Sequence, residues 1–260
     1  MTTAATGAFL KRTSPDFVAF LAGLGIAYGM QWQTTDLVWS LWLCSLVLGY
    51  LTLLSAILGG ALVGIRGASQ PGVNRAVLLP LLLAIGGGGL FFLAFFSFHF
   101  GAFHAGHSVF LSSFFPIDGM PADGFGDAFM NPLLLWALTF EHLMVPYGIF
   151  LLPAVLAERR YLLKPILKAI RPEQEVEDRE LADRELPETV QKPTKKRKSQ
   201  MGDAMSRPYM NVVRMHLLIF FFAFCHFLAL ESFIVYAVVY SVYFFPWREL
   251  KRLKDGASTA

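Results

Sequence analysis

The feature that most constrains this chain is a series of long apolar runs with almost no charge. The second run extends from Leu37 to Ile65 and contains no charged residue. A helix rises ~1.5 Å per residue, so ~20 apolar residues cross a hydrocarbon core that is ~30 Å thick. Backbone groups in lipid must be hydrogen-bonded internally, and a helix achieves this within one segment. The run therefore predicts a membrane-spanning helix.

The composition extends this interpretation to the whole chain. Of its 260 residues, 55% are hydrophobic and 16% are charged, whereas a soluble domain has about 25% charged residues. This difference argues against a soluble globular enzyme. The formal net charge of +3 is too small to indicate a nucleic-acid partner. Cys44 and Cys225 both lie in apolar runs, so no disulfide framework is implied.

We predict an all-α, polytopic membrane helix bundle with six transmembrane helices. The third apolar run is too long for one simple span, and the last is interrupted by Glu231, so we divide the last run into two helices near Leu230. The apolar runs are residues 17–31, 37–65, 76–115, 132–156 and 210–245.

Basic loops alternate with loops that have no Lys or Arg, and this alternation gives the orientation. Positively charged short loops stay in the cytoplasm. Six spans with both termini cytoplasmic place every basic loop inside, in a multi-pass membrane protein. The basic residues concerned are Lys11 and Arg12, Arg66 and Arg75, the group from Arg159 to Arg171, and the tail from Arg248 to Lys254.

The chain has one long polar region, which divides it into three parts. Residues 1–156 form spans one to four, 157–208 form a cytoplasmic linker, and 209–260 form spans five and six with the basic tail. At the start of the linker, Ala157–Ile170 alternates basic and apolar residues at helical spacing, so it either continues span four or lies on the inner membrane surface. Residues 171–205 lack enough apolar residues for a core, which predicts a partly disordered segment.

All six histidines lie in apolar runs, and none lies in the polar linker. Ionisable groups within a membrane are costly and usually face a bundle interior or a cavity. Two glutamates share this unusual position. The predicted topology places most of these side chains in the outer half of the bundle. The histidines are His99, His104, His107, His142, His216 and His226, and the glutamates are Glu141 and Glu231.

Imidazole and carboxylate groups are ligands of transition metals, so this group predicts a metal site. At 100° per residue, His99, His107 and His104 lie at roughly 0°, 80° and 140° around one helix. We expect His104 and His107 to be the first ligands, followed by His99, His142, His226 and Glu231. Zinc is the first choice of metal, and iron or copper the next. Glu141 is the candidate catalytic base for a metal-bound water.

This pattern is compatible with several functions. A metal-dependent membrane enzyme would act on a hydrophobic or periplasmic substrate, and the lipid bilayer is the other expected partner. A metal or proton carrier would use the same side chains as a pathway. A heme-binding electron-transfer protein would use two of the histidines as axial ligands. Histidines that only form hydrogen bonds between helices are a fourth possibility.

Two stretches resemble segments of a family of uncharacterised bacterial multi-pass membrane proteins, known only as a domain of unknown function. They are the run from His99 through His104 and His107 to Phe110, and the run from Pro208 through Arg214 and His216 to Phe221. The resemblance implies that His104, His107, Arg214 and His216 belong to a recurring pattern. It also implies a multi-pass protein of the bacterial inner membrane, and it implies no activity.

Overall fold

The structure is a computed structural model. It describes residues 3–69, 75–171 and 233–244, together with residues 213, 217, 220–222, 224, 225, 227 and 228. All regular secondary structure in these described ranges is helical, and they contain no strand. The predicted all-α class is therefore confirmed.

Seven α-helices follow one another along the described ranges. Two short 3₁₀ helices, Gly126–Ala128 and Gly148–Phe150, lie before α4 and after α5. The α-helices are α1 (Thr3–Gly29), α2 (Thr34–Ala68), α3 (Arg75–Phe114), α4 (Pro132–His142), α5 (Met144–Tyr147), α6 (Leu151–Ile170) and α7 (Phe233–Phe244).

Two of these helices are long and apolar enough to cross a membrane. They are Thr34–Ala68, which is α2, and Leu79–Phe114, which is most of α3. A third span results if the bent pair Pro132–His142 and Met144–Ile170 is counted as one. Within the described residues, length and composition thus support two or three spanning helices.

The fourth apolar run is bent. The axes before and after Leu143 differ in direction by 62°. Pro146 explains the break, because it has no N–H to donate to the carbonyl of His142 four residues earlier. After the bend, α6 continues without interruption to Ile170, so the basic stretch after Leu156 prolongs the helix.

A tight turn connects α1 to α2. The amide of Trp32 donates to the carbonyl of Ala27 at 2.8 Å, and that of Gln31 donates to the carbonyl of Tyr28 at 3.1 Å. Gln31 has a φ of 55°, in the left-handed region. This is the Schellman arrangement that ends many helices, with Gln31 where glycine is usual. The next helix then begins with the amide of Gln33 donating to the carboxylate of Asp36 at 2.8 Å.

The chain divides into two compact units. Unit 1 comprises Met1–Val47, Phe100–Arg159 and Val212–Ala260. In this unit α7 runs antiparallel to α1, since the ring of Phe20 stacks on Tyr240 at 5.4 Å and that of Tyr28 contacts Phe233 at 5.5 Å.

Unit 2 comprises Leu48–His99 and Arg160–Asn211. Here α6 runs parallel to the second half of α2. The Ser55 hydroxyl donates to the carbonyl of Leu162, and a Cβ at Gly59 would lie 2.7 Å from the carbonyl of Pro165. Arg66, in the last turn of α2, donates to the carbonyl of Ile170 at 2.8 Å and also to that of Ala169. Because these carbonyls lie past the last helical amides, Arg66 caps the end of α6.

Candidate functional site

The buried stripe of α3 in unit 1 contains an unusual share of polar side chains. Three of its members, His104, His107 and Ser108, are buried, with His104 and Ser108 fully inaccessible. Their apolar neighbours at helical spacing are Phe100 and Leu111, both fully buried. Spacings of three and four residues place all five on one face of the helix.

Hydrogen bonds fix the His104 ring at both nitrogens. Nδ1 lies 3.0 Å from the carbonyl oxygen of Phe100, one turn earlier in the same helix. Nε2 lies 3.2 Å from the hydroxyl of Ser45 on α2. A carbonyl can only accept, so Nδ1 has the proton and donates. In a neutral ring the lone pair is then on Nε2, which accepts from Ser45.

Two tryptophans of α2 donate hydrogen bonds to main-chain carbonyls of α3 and of the residue that follows it. Nε1 of Trp39 donates to the carbonyl of Phe115 at 2.7 Å. Nε1 of Trp42 donates to the carbonyl of His104 at 3.1 Å. Both indoles are fully buried. Trp39, Trp42 and Ser45 recur every three residues, so one face of α2 provides three polar contacts to this part of unit 1.

The connection between α3 and α4 folds back against α3 at Gly124. Gly124 has a φ of 61°, and an added Cβ would lie 2.5 Å from the carbonyl oxygen of Ser108. The hydroxyl of Ser108 accepts from the amide of Phe125 at 2.8 Å and donates to the carbonyl of Ala105 at 2.7 Å. Only glycine combines this backbone angle with this approach, so the sequence requires Gly124 here.

Phe125 follows Gly124 and is the centre of an aromatic cluster. Its fully buried ring contacts Trp42 at 5.5 Å, Trp39 at 6.2 Å and His142 at 6.1 Å. The ring of Trp42 in turn contacts that of His104 at 5.4 Å. Edge-to-face and offset contacts at these separations are favourable. We call Trp39, Trp42, His104, Phe125 and His142 the aromatic cluster.

The structure brings together the two histidines predicted as first ligands. The ring centroids of His104 and His107 are 6.3 Å apart, with the planes at 71°. Two imidazoles that bind one zinc ion through bonds of ~2.1 Å have ring centres roughly 5–6 Å apart. The separation of the His104 and His107 ring centres lies just above this range.

The other described candidates have different surroundings. His99 belongs to unit 2, is exposed, and stacks on Phe95 at 5.5 Å. His142 is partly exposed beside Phe125, and Glu141 is exposed at the end of α4. Across the ranges that the structure describes, no three His, Cys, Asp or Glu side chains form a metal-binding group. His226, Glu231 and His216 lie outside the described residues.

The sequence interpretation did not include Trp39, Trp42, Ser45, Ser108 or Phe125 in the site. A signal was present for three of them, because Trp39, Trp42 and Ser45 recur at helical spacing in an otherwise apolar run. Tryptophan buried in an apolar setting usually finds a partner for its N–H. The contacts of Ser108 and Phe125 depend on how the connection between α3 and α4 folds, which has no local pattern in the sequence.

Comparison with known proteins adds a family and nothing on activity. A family model described as a family of unknown function (DUF6498) matches residues 17–157, which is more than half of the chain. This match includes α2 to α5 and all five residues of the aromatic cluster. Neither the curated proteins nor the solved structures contain a match.

Proposed function

The chain belongs to this family of unknown function (DUF6498), and we propose that it is a six-span protein of the bacterial inner membrane. In this proposal His104 and His107 hold a transition-metal ion. The membrane part and the metal part are supported by different contacts and are tested separately.

The membrane part is supported by contacts between ends of different spans that the predicted topology places on the same side of the membrane. Asp16, just before the first predicted span, pairs with Arg159, just after the fourth, at 2.5 Å. Trp39 and Phe115, near the predicted outer ends of spans two and three, are joined by a hydrogen bond. Both pairs join helix ends that the alternating basic loops place on the same side of the membrane.

The antiparallel packing of α7 on α1 supports an even number of spans. If α1 rises from the cytoplasmic side, with Lys11 and Arg12 in its first half, α7 descends towards that side. The basic tail from Arg248 to Lys254 is then cytoplasmic, as the positive-inside rule requires.

One observation supports the metal part more than any other. The Nδ1–H of His104 donates to the carbonyl of Phe100, which leaves Nε2 as the basic nitrogen. Histidines that bind metals nearly always donate their other ring N–H to a carbonyl, a carboxylate or water, because this fixes the ring and its tautomer. His107 lies one turn away on the same buried stripe.

The proposed site needs further ligands besides this pair. His226 and Glu231 are the first choices, and His142 the next. The hydroxyl of Ser45, now 3.2 Å from Nε2 of His104, would have to rotate away. In an enzyme of this kind, Glu141 would act as the general base on a hydrophobic or periplasmic substrate.

Elemental analysis of detergent-purified protein from metal-replete cells tests the metal part. We expect about one zinc, iron or copper ion per chain in the natural protein. His104→Gln and His107→Ala should both lose it, and Gln at 104 preserves hydrogen-bonding capacity beside Phe100 and Ser45. His216→Ala removes an imidazole that is not a proposed ligand and should retain the metal.

The same sample distinguishes the alternatives. A visible absorption band that is lost in His104→Gln would replace the proposal with heme binding. Background metal in the natural protein, or equal metal in His104→Gln, would overturn the metal site. The buried histidines would then be hydrogen-bonding groups between helices.

A further inference from the structure

A row of cations lies along the last three turns of α6, in unit 2. Arg160, Lys164, Lys168 and Arg171 are spaced by four, four and three residues. At 100° per residue they lie within about 80° of one another around the helix. The amide of Arg171 still donates to the carbonyl of Leu167 at 2.8 Å, so it continues the helical path. We call these four residues the basic stripe.

The basic stripe is on the side of α6 opposite its packed face. Leu162 and Ala169 are buried, and they lie roughly 180–200° around the helix from Arg160. Leu162 is also the residue whose carbonyl accepts from Ser55 of α2. Lys164 and Arg171 are exposed. The stripe therefore faces away from the contact between α6 and α2.

Exposed apolar side chains flank the stripe along one edge. Leu163, Leu167 and Ile170 are 49%, 49% and 46% exposed. They lie roughly 20–80° from Arg160, on the side away from Lys168. A helix that presents a cationic row beside an apolar row has the pattern of a segment at a membrane interface, with apolar groups among the acyl chains and cations among the headgroups.

Two sources of negative charge on α6 lie away from the stripe or are met by another group. The acidic residue of α6, Glu158, lies about 160° from Arg160 around the helix. The negative end of the α6 dipole is met by the guanidinium of Arg66, which donates to the carbonyls of Ala169 and Ile170.

We propose that the basic stripe and its apolar edge form a binding surface for anionic phospholipid headgroups of the cytoplasmic leaflet. Each cation near an anionic membrane surface strengthens binding by about fivefold. Nucleic acid would also meet the cations, but it would leave the leucines and the isoleucine in water. The inference rests on the membrane part of the proposed function and is independent of the metal.

Amide hydrogen exchange of the full-length protein in lipid nanodiscs tests this surface. One set of discs is phosphatidylcholine alone, and the other has about one third phosphatidylglycerol. We expect exchange at residues 160–171 to be slower in the anionic discs by on the order of tenfold. High salt should reduce the difference, because it screens the exposed charges.

Two matched variants show whether the stripe is responsible. Lys164→Gln with Lys168→Gln should reduce the difference between the two lipids to less than about threefold. Lys192→Gln with Lys195→Gln removes the same charge from the polar linker. It should preserve the difference in exchange at residues 160–171 between the two lipids. Equal exchange in both lipids, or the same loss in both variants, would overturn the proposal.

The remaining outcomes are also decisive. Slower exchange caused by added RNA in phosphatidylcholine discs, without an effect of phosphatidylglycerol, would replace the lipid surface with a nucleic-acid surface. A chain that enters neither kind of disc would overturn the membrane assignment and this inference together. A chain that enters both equally and shows no lipid effect overturns the inference alone.

Discussion

The indole of Trp42 donates a hydrogen bond to the main-chain carbonyl of His104 across 3.1 Å. That carbonyl lies inside α3, where it also accepts from the helix amide four residues later. The ring of His104 meets the same indole at 5.4 Å. One tryptophan of α2 thus holds both the backbone and the side chain of the histidine that is central to the proposed site.

Trp42→Phe removes this hydrogen bond while leaving an aromatic ring. The free energy of unfolding should fall by about 0.5–1.5 kcal/mol for the hydrogen bond, in addition to the cost of the smaller ring. Trp32→Phe makes the same reduction in size at another buried indole, which packs on Tyr147 and Phe150. Thermal unfolding in detergent measures both, and equal losses would contradict a role for the Trp42 N–H.

Gly124→Ala should be among the most destabilising small substitutions in the chain. The new Cβ would meet the carbonyl of Ser108 at 2.5 Å, at a φ of 61° that L-residues rarely adopt. Gly119→Ala is the matched control, since Gly119 has a φ of 80° and no described atom within 4 Å of its added Cβ. We expect the free energy of unfolding to fall by about 1 kcal/mol for Gly119→Ala and by at least about 3 kcal/mol for Gly124→Ala.

The measurement is again the unfolding temperature in detergent, compared between the two alanine variants. Equal shifts would mean that backbone angle alone matters and that the connection does not press on α3 at Gly124.

Ser108→Ala removes both hydrogen bonds of a fully buried hydroxyl. The amide of Phe125 would be left without its 2.8 Å acceptor, which should cost about 1–3 kcal/mol. Ser113→Ala removes an exposed hydroxyl on the same helix, which bonds the carbonyl of Val109, and should cost less than about 0.5 kcal/mol. Amide exchange at Phe125 provides the local measurement. Unchanged exchange there would show that Ser108 does not hold the connection.

Gln31→Gly should stabilise the protein. Gln31 has a φ of 55° in the turn after α1, and glycine adopts this region without the steric cost of a Cβ. We expect a gain of about 0.5–1 kcal/mol. Gln33→Gly, at the start of α2, should change stability by only a few tenths of a kcal/mol. A loss of stability in Gln31→Gly would mean that the glutamine side chain makes a contact that outweighs the backbone cost.

The proposed orientation predicts the labelling of introduced cysteines. Cys44 and Cys225 are both buried, so their background reaction with a maleimide should be low. A membrane-impermeant maleimide added to intact spheroplasts should label Asp118→Cys and should label Lys168→Cys only after permeabilisation. The reverse pattern, or labelling of both in intact spheroplasts, would contradict six spans with both termini inside.

The long helices could be predicted from the sequence because few other structures suit such runs. The second run, Leu37–Ile65, lies within α2, and the third, Ala76–Phe115, agrees with α3 to one residue at each end. The bend at Leu143 was missed, although Pro146 was visible three residues later. A proline changes a helix locally, and only the packing decides whether the result is a kink or a break.

The site was predictable in part for a similar reason. His104 and His107 are three residues apart on one helix, so their proximity follows from helix geometry. His99 is five residues from His104, a rotation of about 140°, and it is exposed where His104 is buried. Trp39, Trp42 and Ser45 recur at helical spacing, but their hydrogen-bond partners lie in distant segments, and the sequence does not show which groups they meet.

Contacts anchor the connection between α3 and α4 at its two ends and at one point between them. The carbonyl of Phe115 accepts from Trp39 at one end, Gly124 presses on Ser108, and the side chain of Asn131 accepts from the amide of Leu134 at the other end. Gly119 lies between the first two of these contacts, at Phe115 and at Gly124. An epitope or protease site engineered there would be displayed without loosening the helices, whereas the same insertion between Gly124 and Asn131 would pull the loop away from its anchors.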